Sequence, residues 1–417
     1  MAQLSDDCFA FGGRLMALDA ALAAIAERTV PLTEREEVPL RTAAGRILAA
    51  DLVAPRDVPP HDNSAVDGYA VFHDDVAGGG AVLPVVGRAA AGHPFDRALS
   101  RGEALRIFTG APLPEGPDTV LMQEDCVAEA GRVRIPAGIR TGANRRRAGE
   151  DLKAGEVALR AGTRLRPQEV GLAASLGRAS LPVHARLRVA LFSTGDEVRE
   201  PGGELQPGAI YDANRYALLA LLERLGASVT DLGIFPDRPE AIGAALRDAA
   251  AGHDLIVTSG GMSTGEEDHM KAAVEALGSL HFWRLGIKPG RPVALGQVGR
   301  VPFIGLPGNP VAVMVTFLLI ARPLVLRLAG ATETAPRAFP VRVDFSYRKK
   351  TGRREFVRAS LADAPDGPPV ARKFPRDGAG ILSSMTQSDG LVVLGDEVTE
   401  TRPGDTAPFL SFAELLG

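Results

Sequence analysis

The chain has 417 residues, 45% of them hydrophobic, and 47 Lys and Arg against 51 Asp and Glu give a formal charge of -4. That length exceeds one ordinary core and predicts two to four domains, while the nearly balanced, slightly acidic charge argues against a general nucleic-acid binder. The two cysteines, Cys8 and Cys126, lack CxxC or histidine-partner spacing, which argues against a disulfide framework or zinc site and for a reducing, cytoplasmic setting.

The opening "MAQLSDDCFAFGGRLMALDA" has early acids and no basic segment before a long apolar core, so no signal peptide is expected. Residues 15–28, "LMALDAALAAIAER", place apolar side chains at helical spacing and predict a helical entry segment. From Pro55 to Asn144 the texture changes to short apolar runs such as "YAVF", "LRIFTG" and "TVLMQED", separated by Gly, Pro and Asp, which predicts a mostly β domain. "GTRLRPQEVGLAASLG", 162–177, returns to helix and is expected to pack with the entry segment. The expected division is therefore a discontinuous helical linker region, 14–54 and 145–184, around an inserted β domain, 55–144.

After Arg186 strands and helices alternate, "LRVALF", "ANRYALLALLERLG", "SVTDLGIF", "PEAIGAALRDAAA", "DLIVTSGG" and "EDHMKAAVEALG", which predicts a doubly wound α/β domain over 185–334. In its first helix Leu218, Leu219, Leu222 and Leu225 form an apolar face, with Asp212 as N-cap and Gly226 as stop. A later helix repeats Met270, Ala273, Val274 and Leu277 and is expected to close at Gly278. The most apolar stretch, Val311 to Ala321, stops at Arg322 and Pro323, short of the roughly 20 residues that span a bilayer, and predicts a buried helix with no membrane association. Residues 335–417 read as a small C-terminal β module. The fold class is thus multidomain α/β plus β.

In open α/β sheets, ligands gather where strand ends meet helix N-termini. Three strand ends carry acids here: "STGDE" (193–197), "PDRPE" (236–240) and "TSGGMSTGEED" (258–268). Gly195, Gly260 and Gly261 let backbone amides approach a phosphate, and Ser193, Thr194, Ser259 and Ser263 add hydroxyl donors. Phosphate beside carboxylates calls for a hard cation, and Mg²⁺ accepts a few carboxylate oxygens, waters and phosphate oxygens. Glu197, Asp237 and Asp268 are the candidate ligands. Structural alternatives stand beside them: Ser263 with Glu266, or Thr264 with Glu267, makes a capping box, an acid near a helix start such as Asp268 favours the dipole, Asp237 stands where a helix cap stands, and Glu197 suits a solvated loop.

Eight motifs, "PPHDNSAVDGYAV" (59–71), "RIFTGAPLPEGPDTVLMQED" (106–125), "NRRRAGED" (144–151), "ALFSTGDE" (190–197), "IYDANR" (210–215), "TSGGMSTGEEDHMK" (258–271), "IKPGRP" (287–292) and "GLPGNPV" (305–311), occur in one order. In them the chain resembles the molybdopterin molybdenumtransferase family, in its stand-alone bacterial form without the fused adenylyltransferase domain of eukaryotic relatives such as gephyrin. The resemblance implies a molybdopterin-binding α/β domain, a C-terminal β barrel, and a homodimer whose active site is shared between subunits. It implies insertion of molybdate into adenylylated molybdopterin with Mg²⁺-assisted release of AMP, and a molybdopterin adenylyltransferase as the upstream partner. By the same resemblance Glu197, Asp237 and Asp268 lie near metal and anhydride, and Asp67, Thr109 and Asp151 match functional positions in the first two regions. Molybdate, an oxyanion, needs donors, for which Lys288 and Arg291 in "IKPGRP" are candidates; the resemblance implies that Arg358 in "REFVR" and Ser383 in "ILSS" complete the pocket, with Pro307 and Pro310 shaping the "LPGNP" loop. Arg145, Arg146 and Arg147 suit a pterin phosphate or a solvated turn equally.

Three positions depart from many relatives: His269 replaces Tyr, Arg284 replaces Lys, and Ala312 replaces Ser. They bear on molybdate contact rather than reaction class. The alternative to catalysis is a silent pterin or nucleotide binder or a scaffold, because an α/β fold by itself hosts many functions.

Overall fold

The computed structural model describes residues 15–260, 269–290, 292–364 and 367–416. Its first helix, Leu18–Arg28, buries Leu18, Ala21 and Ile25, the face expected from a 3.6-residue period. The helix Pro167–Ser175 starts at a capping box in which the Glu169 carboxylate accepts the Arg166 amide at 2.8 Å. The linker region is helical only in part. Its two chain segments are tied together by the antiparallel ladder of Arg35–Pro39 with Ser180–His184. Between Leu40 and Pro55 only one 3-10 turn forms, because Leu48 and Ala49 send their amides across to the Thr163 and Pro182 carbonyls instead of along a helix.

The inserted domain carries a six-stranded sheet in the order Thr119–Met122, Gly68–Val71, Ala104–Ile107, Ala81–Ala89, Arg132–Ile135, Val127–Glu129. Residue alternation sends Tyr69, Val71 and Leu121 into one apolar cluster and Ala70, Leu105 and Val120 into another, so both faces of the central strands are covered.

In the α/β domain the sheet order is Ser228–Phe235, Arg188–Thr194, Leu255–Ser259, Val301–Leu306, Pro292–Val298, Gly278–Arg284; the first four strands are parallel, and Pro292–Val298 runs antiparallel to both of its neighbours. Helix Ala213–Arg224 packs Leu218 and Leu222 on one face of the sheet. Helices Pro239–Gly252 and His269–Leu277 pack Ile242, Leu246, Met270 and Val274 on the other. The chain leaves Arg188–Thr194 toward one edge of the sheet and leaves Leu255–Ser259 toward the other, so the order reverses between these two strands and a crevice opens at their ends. Asp212 caps its helix by accepting the Arg215 amide at 3.0 Å. Gly278 does not act as a left-handed helix stop: it begins a strand, where a Cβ would sit 2.1 Å from the Gln297 carbonyl oxygen.

The apolar stretch does not end at Arg322 and Pro323. One helical run covers 310–328, with a π-helical segment at Phe317–Ala321 just before Pro323, where the helix must accommodate a missing amide. By length and composition it could cross a membrane, but 89% of its most apolar window is buried inside the protein. The buried Arg322 is satisfied by the Leu415 carbonyl at 3.0 Å and the Thr334 carbonyl at 2.7 Å.

Beyond it, strands Arg354–Ala362, Val370–Lys373, Phe339–Val343, Thr406–Ser411 and Gly390–Leu394 pair in turn, and the last pairs back on the first to close a five-stranded barrel around Val341, Val357, Val392 and Phe409. The short strand Ile287–Lys288 joins the barrel in parallel beside Arg354 and Glu355, carrying a piece of the α/β chain onto it.

Candidate active site

A cavity of about 610 Å³ lies between the carboxyl ends of the α/β strands and the barrel. One wall is made of Thr194, Gly195, Asp196, Glu197, Asp237 and Gly260; the barrel side contains Lys288, Tyr347, Glu355, Arg358, Lys373 and Asp377; the Pro307–Asn309 turn and Ala312 also line it. The charged groups of the strand-end side are thus only carboxylates, whereas the barrel side carries three cations, of which Lys288 is paired with Glu355 and Lys373 with Asp377.

The acidic wall follows from backbone geometry at two glycines. Gly260, at φ +86, lies so close to the neighbouring strand that a Cβ would meet the Thr194 carbonyl oxygen at 2.4 Å. Gly195, at φ +145, turns the chain sharply, and the Glu197 carboxylate folds back to within 2.8 Å of where its Cβ would stand. Asp237 is half-buried and does not cap the following helix, whose N-cap is Arg238 without a side-chain bond. Thr194 is buried, and its hydroxyl has no hydrogen-bond partner among the described residues. Among the described residues no three His, Cys, Asp or Glu side chains converge into a complete metal cage.

On the basic wall, Glu355 is 1% exposed and gathers the other groups around it. Its Oε2 accepts the Tyr347 hydroxyl at 2.7 Å and lies 3.2 Å from Lys288 Nζ, which in turn is 3.1 Å from the Tyr347 oxygen. Burial opposes the charges of Glu355 and Lys288, but their mutual contact and Tyr347 outweigh it, holding the carboxyl below and the ammonium above their ordinary values. The buried Arg358 donates weakly to the Gly378 and Arg376 carbonyls at 3.3 and 3.4 Å, and its Nε has no partner among the described residues. Burial holds its pKa below the usual arginine value. An under-satisfied guanidinium on a cavity wall is a ready receptor for an oxyanion.

The structure therefore brings Thr194, Gly195, Glu197, Asp237, Gly260, Lys288, Pro307 and Arg358 to one cavity. Gly261, Ser263, Asp268 and Arg291 lie outside the described residues. Ser193, one strand position before Thr194, is buried and does not line the cavity. Ser259 serves as a cross-tie, accepting from Asn214 Nδ2 at 2.9 Å and donating to the Pro307 carbonyl at 3.3 Å. Pro310 starts the long helix and Ser383 a short one behind the cavity, and neither lines it. Asp67, Thr109 and Asp151 sit away from the cavity of their own chain. Asp67 Oδ1 accepts both the Thr109 amide at 2.8 Å and its hydroxyl at 2.7 Å, which hold the carboxyl below its usual range. Asp151 is exposed, and Arg145 is occupied by Asp62. His269 opens a helix, Arg284 is exposed, and Ala312 lines the cavity.

Sequence reasoning missed Tyr347, Glu355, Lys373 and Asn214. For Asn214 a signal existed: "IYDANR" places an amide in the first turn of a helix beside two strand-end loops. The other three come together only when the barrel closes.

Residues 16–177 match the MoeA N-terminal region (domain I and II), 190–327 a probable molybdopterin binding domain, and 340–412 the MoeA C-terminal region (domain IV). The chain is 38% identical to the molybdopterin molybdenumtransferase of Haemophilus influenzae over 405 residues, covering 97% of this chain and all of that protein. Against the molybdopterin molybdenumtransferase of Nostoc sp. it is 36% identical, covering 87% of this chain and 85% of the relative. The crystal structure of the molybdopterin biosynthesis MoeA protein from Pyrococcus horikoshii OT3 superimposes with a TM-score of 0.81 at 29% identity, covering 96% of this chain and 100% of that one. With matched regions running through every part of the chain and near full-length identity above 35%, the chain belongs to the molybdopterin molybdenumtransferase family, the transferases of molybdenum cofactor biosynthesis.

Proposed function

We propose that the cavity between the strand ends and the barrel inserts molybdate into adenylylated molybdopterin and releases AMP with the help of Mg²⁺. The observation that carries this reading is the division of one cavity into a carboxylate side, Glu197 and Asp237, and a cation side, Lys288 and Arg358. Phosphoanhydride and molybdate are both anions, and a uniformly acidic or uniformly basic cavity serves only one of their needs.

The acidic wall fits magnesium. Two carboxylates on the wall of a cavity of about 610 Å³ leave room for waters and ligand phosphate oxygens, which this ion retains in its shell. Glu197 and Asp237 would hold it, with Asp268 as a third ligand. When bound, the metal offsets charge on the phosphoanhydride. The protein's own share is positioning. Gly260 lets the two strand ends lie side by side at the cavity, the Thr194 hydroxyl offers a donor, and Lys288 and Arg358 hold the oxyanion from the barrel side.

Asp67 and Thr109 form a tight, exposed pair that does not reach this cavity in their own chain. We assign them to the cavity of a second copy, so that a homodimer has two sites, each built from both subunits. An adenylyltransferase acting on molybdopterin supplies the substrate. A cytoplasmic setting fits the free, half-buried thiol of Cys126, whose pKa is pushed up to about 11 by burial.

The test is AMP release from adenylylated molybdopterin, with Mg²⁺ and molybdate withheld in turn. Release that depends on both supports the reading. A silent binder or scaffold releases none, and release indifferent to molybdate contradicts insertion.

A further inference from the structure

We propose that Glu355, together with Tyr347, is a positioning residue that fixes the Lys288 ammonium at the cavity wall so that one of its N–H donors faces the oxyanion. The proposal rests on the reading of Lys288 as a molybdate contact and adds what makes that contact possible.

A lysine side chain is long and loses much rotamer freedom when it is held in one place, so a lysine that must present a charge at a defined point needs a partner. Here the partner is built into the fold. The parallel pairing of Ile287–Lys288 with Arg354–Glu355 puts Lys288 directly opposite Glu355. Glu355 Oε2 and the Tyr347 oxygen then take two of the three ammonium donors, at 3.2 and 3.1 Å, and among the described residues the third is left. The Lys288 side chain is 48% exposed and lines the cavity, whereas Glu355 is 1% exposed, so the exposed end of the pair is the cation.

A carboxylate placed against a lysine ordinarily cancels its charge, which defeats recognition of an anion. The arrangement avoids this through Arg353, whose Nε donates to Glu355 Oε1 at 2.7 Å and whose Nη2 lies 2.6 Å from the same oxygen. Arg353 does not line the cavity. Two cations share one carboxylate, and the cluster keeps a net positive charge whose cavity-facing member is Lys288. Tyr347 adds a neutral bridge between acid and base that orients both without changing the total.

The experiment titrates molybdate into the full-length protein by calorimetry and measures molybdate KM and kcat, for the wild type, Glu355→Gln, Tyr347→Phe, Lys288→Ala, and Lys288→Ala combined with Glu355→Gln. Glu355→Gln and Tyr347→Phe are expected to weaken molybdate binding on the order of tenfold, the scale of a lost hydrogen bond to a charged group. The rise is expected in molybdate KM, with kcat at saturating molybdate and KM for adenylylated molybdopterin within about twofold of wild type. The double variant should bind molybdate no worse than Lys288→Ala, since a residue acting through Lys288 has nothing left to position. If Glu355→Gln fails to fold, Tyr347→Phe, which removes one hydroxyl, decides the matter. Wild-type molybdate binding in Tyr347→Phe and in any folded Glu355→Gln, alongside lost binding in Lys288→Ala, overturns the proposal and leaves the oxyanion reading standing. Unchanged binding in Lys288→Ala overturns both.

Discussion

Asn214 donates from Nδ2 to the Ser259 hydroxyl at 2.9 Å, and the same nitrogen reaches the Gly308 carbonyl at 2.7 Å. One side chain in the first turn of a helix thus ties the end of strand Leu255–Ser259 to the Pro307–Asn309 turn, and so fixes the distance between two edges of the cavity. Asn214→Ala removes both bonds and leaves the buried Ser259 hydroxyl with one fewer partner. The expected loss of stability is about 1–2 kcal/mol by urea denaturation, accompanied by a higher KM for the pterin substrate.

Gly260→Ala tests how closely the two strand ends must approach. At φ +86 any side chain is strained, and here the new Cβ also meets the Thr194 carbonyl oxygen at 2.4 Å. Gly45 is the comparison, because it has φ +79 but nothing within 4 Å of its Cβ position. Gly45→Ala should cost only the backbone term, about 1–2 kcal/mol. Gly260→Ala should cost measurably more in the same denaturation experiment and should also abolish turnover.

Asp67→Asn separates charge from geometry, since an amide oxygen still accepts both Thr109 bonds. The variant should melt like the wild type and lose turnover at least about tenfold. If two subunits share each site, mixing Asp67→Asn with Glu197→Gln subunits and allowing exchange restores activity to roughly a quarter of wild type, because half of the dimers are mixed and each has one intact site. No recovery places both residues in the site of a single chain.

The α/β domain was the most legible part of the sequence. Asp212, Leu218, Leu222 and Gly226 announce a capped amphipathic helix, and the strand-end motifs put Glu197 and Asp237 where the cavity lies. Ser193 and Ser259 were less legible, because alternation along a strand and a neighbouring amide decide whether a hydroxyl reaches a ligand or stays within the fold. The Leu40–Pro55 segment went astray because its amides find partners across the chain. Glu355 was invisible, because its partners Lys288 and Tyr347 are distant in sequence and meet it through barrel closure and one two-residue parallel pairing. Gly278 reads as a helix stop in sequence, yet it is required by the Gln297 carbonyl on the adjacent strand.

Acid should expose the Glu355 cluster. Its folded pKa lies below the unfolded value, so it contributes stability above the unfolded pKa, and that contribution is lost as pH falls through the folded one. The stability difference between wild type and Glu355→Gln should therefore be largest near neutrality and shrink below roughly pH 4, the ordinary glutamate range. Melting temperatures of both proteins across that range provide the check, and a difference that grows on acidification contradicts the assignment.

The division of labour across the cavity is tested most directly by single-turnover AMP release, with Mg²⁺ and molybdate titrated independently against Glu197→Gln and Lys288→Ala. Glu197→Gln should raise the Mg²⁺ concentration needed for half-maximal release and leave the molybdate requirement unchanged. Lys288→Ala should do the reverse. If both variants shift the same requirement, or neither shifts either, the two walls do not have the separate roles assigned to them here.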